Sequence, residues 1–464
     1  MASTALRDRP LHRRSERPMY QEIIKDDACP APAALTEYSE VDIPIPAVPR
    51  ERYTSQAFFD LEVERMWSRV WQMACREEQI PEVGDTLLYE GPDLKLMIVR
   101  TAEDEIKAFY NSCPHRGMKL CAADTSLTQI RCPYHGFSWE IDGTMKRLPA
   151  AWDFPQIDKE RFDLPQVKVG LWDGFVFVNK DPDAAPLTEY LANLPDHFAD
   201  WSRRDVYLAT IVRKVMPANW KACIEGFVEA FHVSELHSQV RTFSGDSSTQ
   251  YDVWPGNETI SRFVEPTGVQ SDSVEETLGE PQIFDAMMRM MTDSAEAPQL
   301  PEGTTVRQAM SDLIRKSMSQ EDAAHFKDIS DAEVIDAVQY SIFPNLILFR
   351  SLGYPFAYRF VPLAGDPNRT TFDFMIFKPK PKDGSPLPEV DLVTLGADDL
   401  YSECGVFPPW LGHVYDQDTE GFGRLQDGLH SGSPAPVLFA QYQEVRIRHL
   451  HQTLMRYLSD DPAA

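Results

Sequence analysis

The segment CPHRGMKLCAADTSLTQIRCPYHGFSW, residues 113–139, limits what this chain can become more than any other stretch. Cys-x-His comes first, as Cys113 and His115; after sixteen residues Cys-x-x-His follows, as Cys132 and His135. Two thiols and two imidazoles on two short loops make a four-ligand metal set. Structural zinc accepts two cysteines and two histidines, but zinc fingers usually take the thiols from one element and the imidazoles from another. Here each loop offers one of each. That split suits a [2Fe-2S] cluster in which one iron takes both thiolates and the other both imidazoles, the Rieske type. Neutral imidazoles leave such a cluster less negative than four thiolates would, so it is easier to reduce and suits an electron relay. Pro114 and Pro133 stiffen the loops, and Gly117 and Gly136 permit tight turns beside the metal. Cys121, between the loops, reads as a small buried apolar side chain.

The length of 464 residues, 43% of them hydrophobic, predicts two domains with separate cores. A net charge of -27 speaks against nucleic-acid binding, which needs a basic surface. There is no run of about 18 apolar residues, so no membrane span is expected. The basic first twenty residues lack the apolar stretch of a secretory signal and read as a mobile arm. Seven scattered cysteines do not resemble a disulfide framework and point to the reducing cytoplasm.

Apolar periodicity predicts a helix over 57–73. Short apolar runs between glycine, aspartate and proline predict a small antiparallel β domain over 84–178, and NKDPDAAP (179–186) reads as a linker. A strand through VYLATIVRKVM and a helical stretch over 219–237 open the second half. Residues 275–340 read as mostly helical. Its methionine-rich FDAMMRMMTD fits core packing better than a substrate pocket. NLILFRS, PFAYRFVP and TTFDFMIFKP are antiparallel strands, and 417–458 is helical again. The divisions are an arm (1–50), a β domain with its leading helix (51–185) and an α+β domain (186–464).

An electron relay needs a destination. NWKACIEGFVEAFHVSELH (219–237) carries Glu229, His232 and His237. Five residues separate the histidines by about 140° on a regular helix, so joint ligation requires the helix to distort or end between them. Glu229 lies three residues before His232, within reach of a carboxylate–imidazole hydrogen bond. Two histidines plus a carboxylate, with open positions, make the facial triad of non-haem Fe(II) oxygenases. The carboxylate is expected from GHVYDQDTEGF: Asp418 first, then Asp416, then Glu420.

Over residues 50–460 the chain resembles the large (α) subunit of Rieske non-haem iron aromatic-ring-hydroxylating oxygenases. That resemblance implies an all-β Rieske domain followed by a helix-grip (START-like) catalytic domain, an antiparallel sheet wrapped around a long helix. It implies Cys113, His115, Cys132 and His135 as cluster ligands, and His232, His237 and Asp418 as ligands of mononuclear Fe(II). It also implies head-to-tail homotrimers in which an acidic residue, matched by Glu229 where Asp is familiar, links His232 to His135 of the next subunit. Electrons are expected from a separate NAD(P)H-dependent reductase, with or without an intervening ferredoxin, because the chain has no Gly-x-Gly-x-x-Gly fingerprint. With O2 they would hydroxylate an apolar, aromatic substrate; oxidative N- or O-demethylation is the alternative. An electron carrier without oxygen chemistry and a zinc-stabilised binding protein are the readings from other classes.

Overall fold

Between residues 72 and 179, runs of β-branched and aromatic residues broken by glycine and aspartate turns pair into an antiparallel sheet. In the computed structural model of the chain, the described residues are 19–39, 43–44, 47–201, 206–292, 298–318, 326 and 328–459. Strands β1 (Gln72–Arg76), β2 (Asp85–Glu90), β3 (Lys95–Ala102), β4 (Glu105–Tyr110), β5 (Thr125–Ser126), β9 (Gln166–Trp172) and β10 (Phe175–Asn179) stand in the order β1-β10-β9-β4-β3-β2-β5. A small sheet of β6 (Ile130–Arg131), β7 (Ser138–Trp139) and β8 (Met145–Arg147) lies beside it. Strand β3 is buried on both faces. Leu96 and Ile98 fill the core under β1 and β10, while Met97 and Val99 pack beneath Cys113, Cys132 and Phe137. The metal loops therefore rest on the sheet's own core.

The second sheet runs β12-β13-β14-β15-β16-β17-β11-β18. Its strands are β11 (Val206–Met216), β12 (Gln250–Val253), β13 (Ile260–Glu265), β14 (Ala337–Ile342), β15 (Leu346–Phe349), β16 (Phe356–Pro362), β17 (Thr370–Pro379) and β18 (Asp391–Leu395). Neighbours are antiparallel except β11 and β18, which run parallel. One face packs on helices α1 (Gln56–Glu62), α2 (Trp220–Phe227), α6 (Pro409–Leu429) and α7 (Val445–Leu458). The other face shares a core with Met73, Phe175 and Phe177 of the first sheet and with Trp71 just before it. Two more helices, α4 (Glu280–Thr292) and α5 (Val306–Ser317), bury Met287, Met288 and Met310 in a satellite core with Phe243. Three of the four methionines of the stripe pack in this core, and Met291 is exposed.

Several sequence expectations need correction. The helix expected over 57–73 ends at Trp67, and residues 72–73 already belong to β1, because pairing with β10 outweighs helical periodicity there. Residues 337–340 are strand, and residues 430–444 separate α6 from α7. The arm's residues 1–18 lie outside the described residues. From Tyr20 onward, however, the chain is pinned: Tyr20 and Leu35 are fully buried, and Arg262 Nη2 donates to Glu37 O at 2.8 Å. No helix of the described residues is long and apolar enough to cross a membrane.

Glu62 and Lys221, both fully buried, join α1 to the start of α2 through a 2.6 Å Nζ–Oε1 contact, and Trp220 Nε1 donates to the other Glu62 oxygen. Lys221→Met strands a buried carboxylate and is expected to cost about 3–5 kcal/mol in urea unfolding. The double variant Glu62→Gln/Lys221→Met should recover most of that loss, and no recovery would contradict the pairing.

Candidate metal centres

The two cluster loops are built alike. Cys113 N donates to Met118 O and Gly117 N to Cys113 O; Cys132 N donates to Phe137 O and Gly136 N to Cys132 O. Gly117 and Gly136 take φ of 76° and 77°, the left-handed region where a side chain is strained. Both cysteines are 1% exposed, and burial pushes the Cys113 thiol above its usual value. The imidazoles of His115 and His135 lie with ring centroids 4.7 Å apart, His115 half-buried against Phe137 and His135 exposed beside Tyr134. Burial and the neighbouring His135 keep His115 below its ordinary pKa, hence neutral. Its Nδ1 is buried with no hydrogen-bond partner among the described residues. An orphaned acceptor nitrogen beside buried thiols fits a metal cluster. His115→Cys restores an anionic ligand, so redox titration should show a lower reduction potential. An unchanged or raised potential would count against His115 as a ligand.

At the second centre, the stretch expected as one helix over 219–237 breaks. Helix α2 ends at Phe227 and a single turn, α3 (Val233–Leu236), follows. Glu229 makes the break: its Oε2 accepts from the backbone N–H groups of Phe231 and His232, and its Oε1 lies 2.6 Å from His232 Nδ1. Tyr251 OH takes the Ala230 N–H. The His232 and His237 rings, on either side of α3, lie 5.2 Å apart. Close approach of α6 needs Gly226, where a Cβ would meet the Phe422 ring at 2.5 Å.

Asp418, on α6, points its Oδ1 to within 3.0 Å of His237 Nε2 and 3.8 Å of His232 Nε2. One ligand atom from each of the three lies within 4.8 Å of the others. Asp416, two residues away on the helix, faces elsewhere and accepts from Tyr401 N and Ser402 Oγ. Glu420 is exposed in an ion pair with Arg424. Each histidine has an acceptor at Nδ1: Glu229 for His232, and Gln417 Oε1 at 2.9 Å for His237. Such partners hold the rings so that both Nε2 lone pairs face one point. Burial works against a charged His232, but Glu229, then Asp418 and Glu265, overcome it and lift its pKa to about 9. A divalent cation replaces that proton, so the donor set fits mononuclear iron.

The His232 side chain keeps 27% of its surface accessible, while those of His237 and Asp418 keep 4% and 6%. Phe227 packs against Tyr358 at 5.2 Å, and the Tyr358 and Tyr415 hydroxyls meet at 2.5 Å, so aromatic rings wall the region between the triad and the sheet. Sequence reasoning missed Gln417, although it adjoins Asp418, and it missed Glu265.

Residues 196–460 match the family "Ring hydroxylating alpha subunit (catalytic domain)", and residues 70–158 match "Rieske [2Fe-2S] domain". The biphenyl 2,3-dioxygenase subunit alpha of Rhodococcus jostii (strain RHA1) is 35% identical over 182 residues, 38% of this chain and 39% of that protein. The carnitine monooxygenase oxygenase subunit of Escherichia coli (strain K12) is 27% identical over 233 residues, 47% of this chain and 62% of that protein. These matches thus span less than two thirds of either relative. Among solved structures, a quaternary ammonium Rieske monooxygenase gives a TM-score of 0.63 at 17% identity, covering 90% of this chain and 96% of the other. Naphthalene 1,2-dioxygenase from Rhodococcus sp. gives 0.57 at 19%, covering 89% and 94%. At those identities the likeness carries the fold. With the family matched over more than half its length, the chain belongs to the ring-hydroxylating alpha subunits, carrying a Rieske [2Fe-2S] domain ahead of a catalytic domain that binds mononuclear iron.

Proposed function

We propose that this chain is the terminal oxygenase of a multicomponent system. A separate NAD(P)H-dependent reductase, directly or through a ferredoxin, supplies the electrons, and one or both atoms of O2 enter a small organic substrate. The observation that carries this reading is the convergence of one ligand atom each from His232, His237 and Asp418, in a chain that also holds the two Cys-His loops. A pure electron carrier needs no such open site. Monooxygenation balances as C–H plus O2, two electrons and two protons giving C–OH and water. Ring dihydroxylation consumes the same electrons and protons and retains both oxygen atoms.

When bound, the cluster supplies single electrons and the mononuclear iron activates O2. The chain's residues do the positioning. Cys113, Cys132, His115 and His135 hold the cluster; His232, His237 and Asp418 hold the iron; Glu229 and Gln417 fix the imidazoles. We assign Glu229 a second role as the bridge to His135 of the next subunit in a head-to-tail homotrimer, since its Oε1 has acceptor capacity beyond His232. The cysteine-held cluster suits the reducing cytoplasm. The aromatic wall supports an apolar, aromatic substrate. Oxidative N- or O-demethylation is the second reading, supported by the likeness to the carnitine monooxygenase oxygenase subunit.

An aerobic product screen tests this. Iron-replete protein, a surrogate reductase and NADH are given aromatic and N-methyl substrates under labelled O2. Labelled product from at least one substrate is expected; none from any would end the reading.

A further inference from the structure

The two triad histidines are held by partners of different chemistry. His232 Nδ1 faces the Glu229 carboxylate, which when ionised can only accept a hydrogen bond. His237 Nδ1 lies 2.9 Å from Gln417 Oε1, one end of an amide whose other end donates. A half-turn of that amide exchanges oxygen and nitrogen at nearly the same positions. Which end faces His237 therefore needs a cause outside these two residues.

Gln239 supplies one. It lies two residues beyond His237, in the turn after α3, where Val240 N donates to His237 O at 2.9 Å. Its Nε2 donates to Gln417 Oε1 at 2.7 Å, and Gln417 Nε2 reaches back to Gln239 Oε1 at 3.4 Å. Gln417 Oε1 thus stands between His237 Nδ1 and the Gln239 amide nitrogen. Gln417 directly precedes Asp418 on α6, so the amide pair ties the segments that carry two of the three triad residues. Gln239 is exposed, Gln417 half-buried and His237 buried, and the contacts run inward in that order.

We propose that Gln239 is a positioning residue of the mononuclear iron site, holding the Gln417 amide with its oxygen toward His237. The ring hydrogen then stays on Nδ1 and the Nε2 lone pair is left for the metal. The inference rests on the assignment of His237 and Asp418 as iron ligands. With the amide turned round, its NH2 would face Nδ1 and the ring hydrogen would sit on Nε2. That hydrogen would point at Asp418 Oδ1, 3.0 Å away, and two of the three ligand atoms would bind each other instead of a metal.

The test is Fe(II) affinity, measured by chelator competition on protein with its cluster loaded. Gln239→Glu keeps the size but only accepts, so it draws the Gln417 NH2 to the place where the oxygen stands; binding should weaken about 10-fold or more. Gln239→Lys only donates and should stay within about 3-fold of the wild type. Charge alone gives the opposite order, because an added carboxylate attracts Fe(II) and an ammonium repels it. In a Gln417→Glu background, where the partner has no donating end, Gln239→Ala should change affinity by about 2-fold or less, against about 5-fold or more with Gln417 present. Cluster spectrum and melting temperature verify folding, and the Gln239→Ala comparison decides even if a charged variant does not fold. Tighter binding in Gln239→Glu than in Gln239→Lys, or a Gln239→Ala effect of equal size in both backgrounds, would overturn the proposal. The ligand assignment fails separately: Asp418→Ala would then keep its iron.

Discussion

Asp418→Ala is expected to abolish turnover and weaken mononuclear iron binding at least ~100-fold, with the cluster spectrum unchanged. Asp418 supplies the sole carboxylate of the convergent set, and its Oδ1 lies nearest to both Nε2 atoms. Without it, two neutral imidazoles remain, too few to hold Fe(II) against dilution. The control is two residues away. Asp416→Ala loses acceptor bonds to Tyr401 N and Ser402, so it should cost about 1–3 kcal/mol of stability and keep its iron. Metal analysis separates the two, and an iron-free Asp416 variant with an iron-replete Asp418 variant would reverse the assignment.

Glu229→Gln should leave both metals bound and the cluster reducible by dithionite, yet cut product in a single turnover of pre-reduced protein by about 10- to 100-fold. The carboxylate does two jobs with two oxygens: Oε2 holds the turn through two N–H groups, and Oε1 holds His232 Nδ1. Glutamine has one acceptor oxygen. It can keep the turn or the imidazole, and it carries no charge with which to couple His232 to a neighbour's cluster. Single-turnover yield near that of the wild type would reject the bridge. Loss of mononuclear iron would show instead that Glu229 builds the triad itself.

How much of this was legible beforehand depends on how local the chemistry is. The cluster loops are short, and each carries its cysteine, histidine and glycine within five residues, so spacing alone indicates two matching turns; the rings of His115 and His135 do meet. That one regular helix could not carry both His232 and His237 was legible as a requirement; the break itself falls before both, after Phe227, and a single turn lies between them. Its cause was not, because the carboxylate of Glu229 displaces helical hydrogen bonding by capturing two amides. The choice between Asp416 and Asp418 turns on which side of α6 faces the two histidines, and only packing against α2 fixes that. Gln417 and Glu265 carried no spacing signal. Glu265 meets Ser244 through an isolated bridge that pairs Ser244 with Thr267, a tertiary accident of two loops. The helix read over 57–73 failed because residues 72–76 find a strand partner in β10.

The central claim is that one chain holds two distinct iron centres, a relay cluster and an open mononuclear site. Iron and acid-labile sulfide analysis with EPR tests it most directly. The account predicts about three iron and two sulfide per chain. Reduced protein should show a signal with the low average g of a Rieske centre, and nitric oxide should add a separate Fe(II) adduct signal that is missing in Asp418→Ala. Colourless protein with stoichiometric zinc, or a cluster with no nitric oxide adduct in the iron-replete wild type, would contradict it.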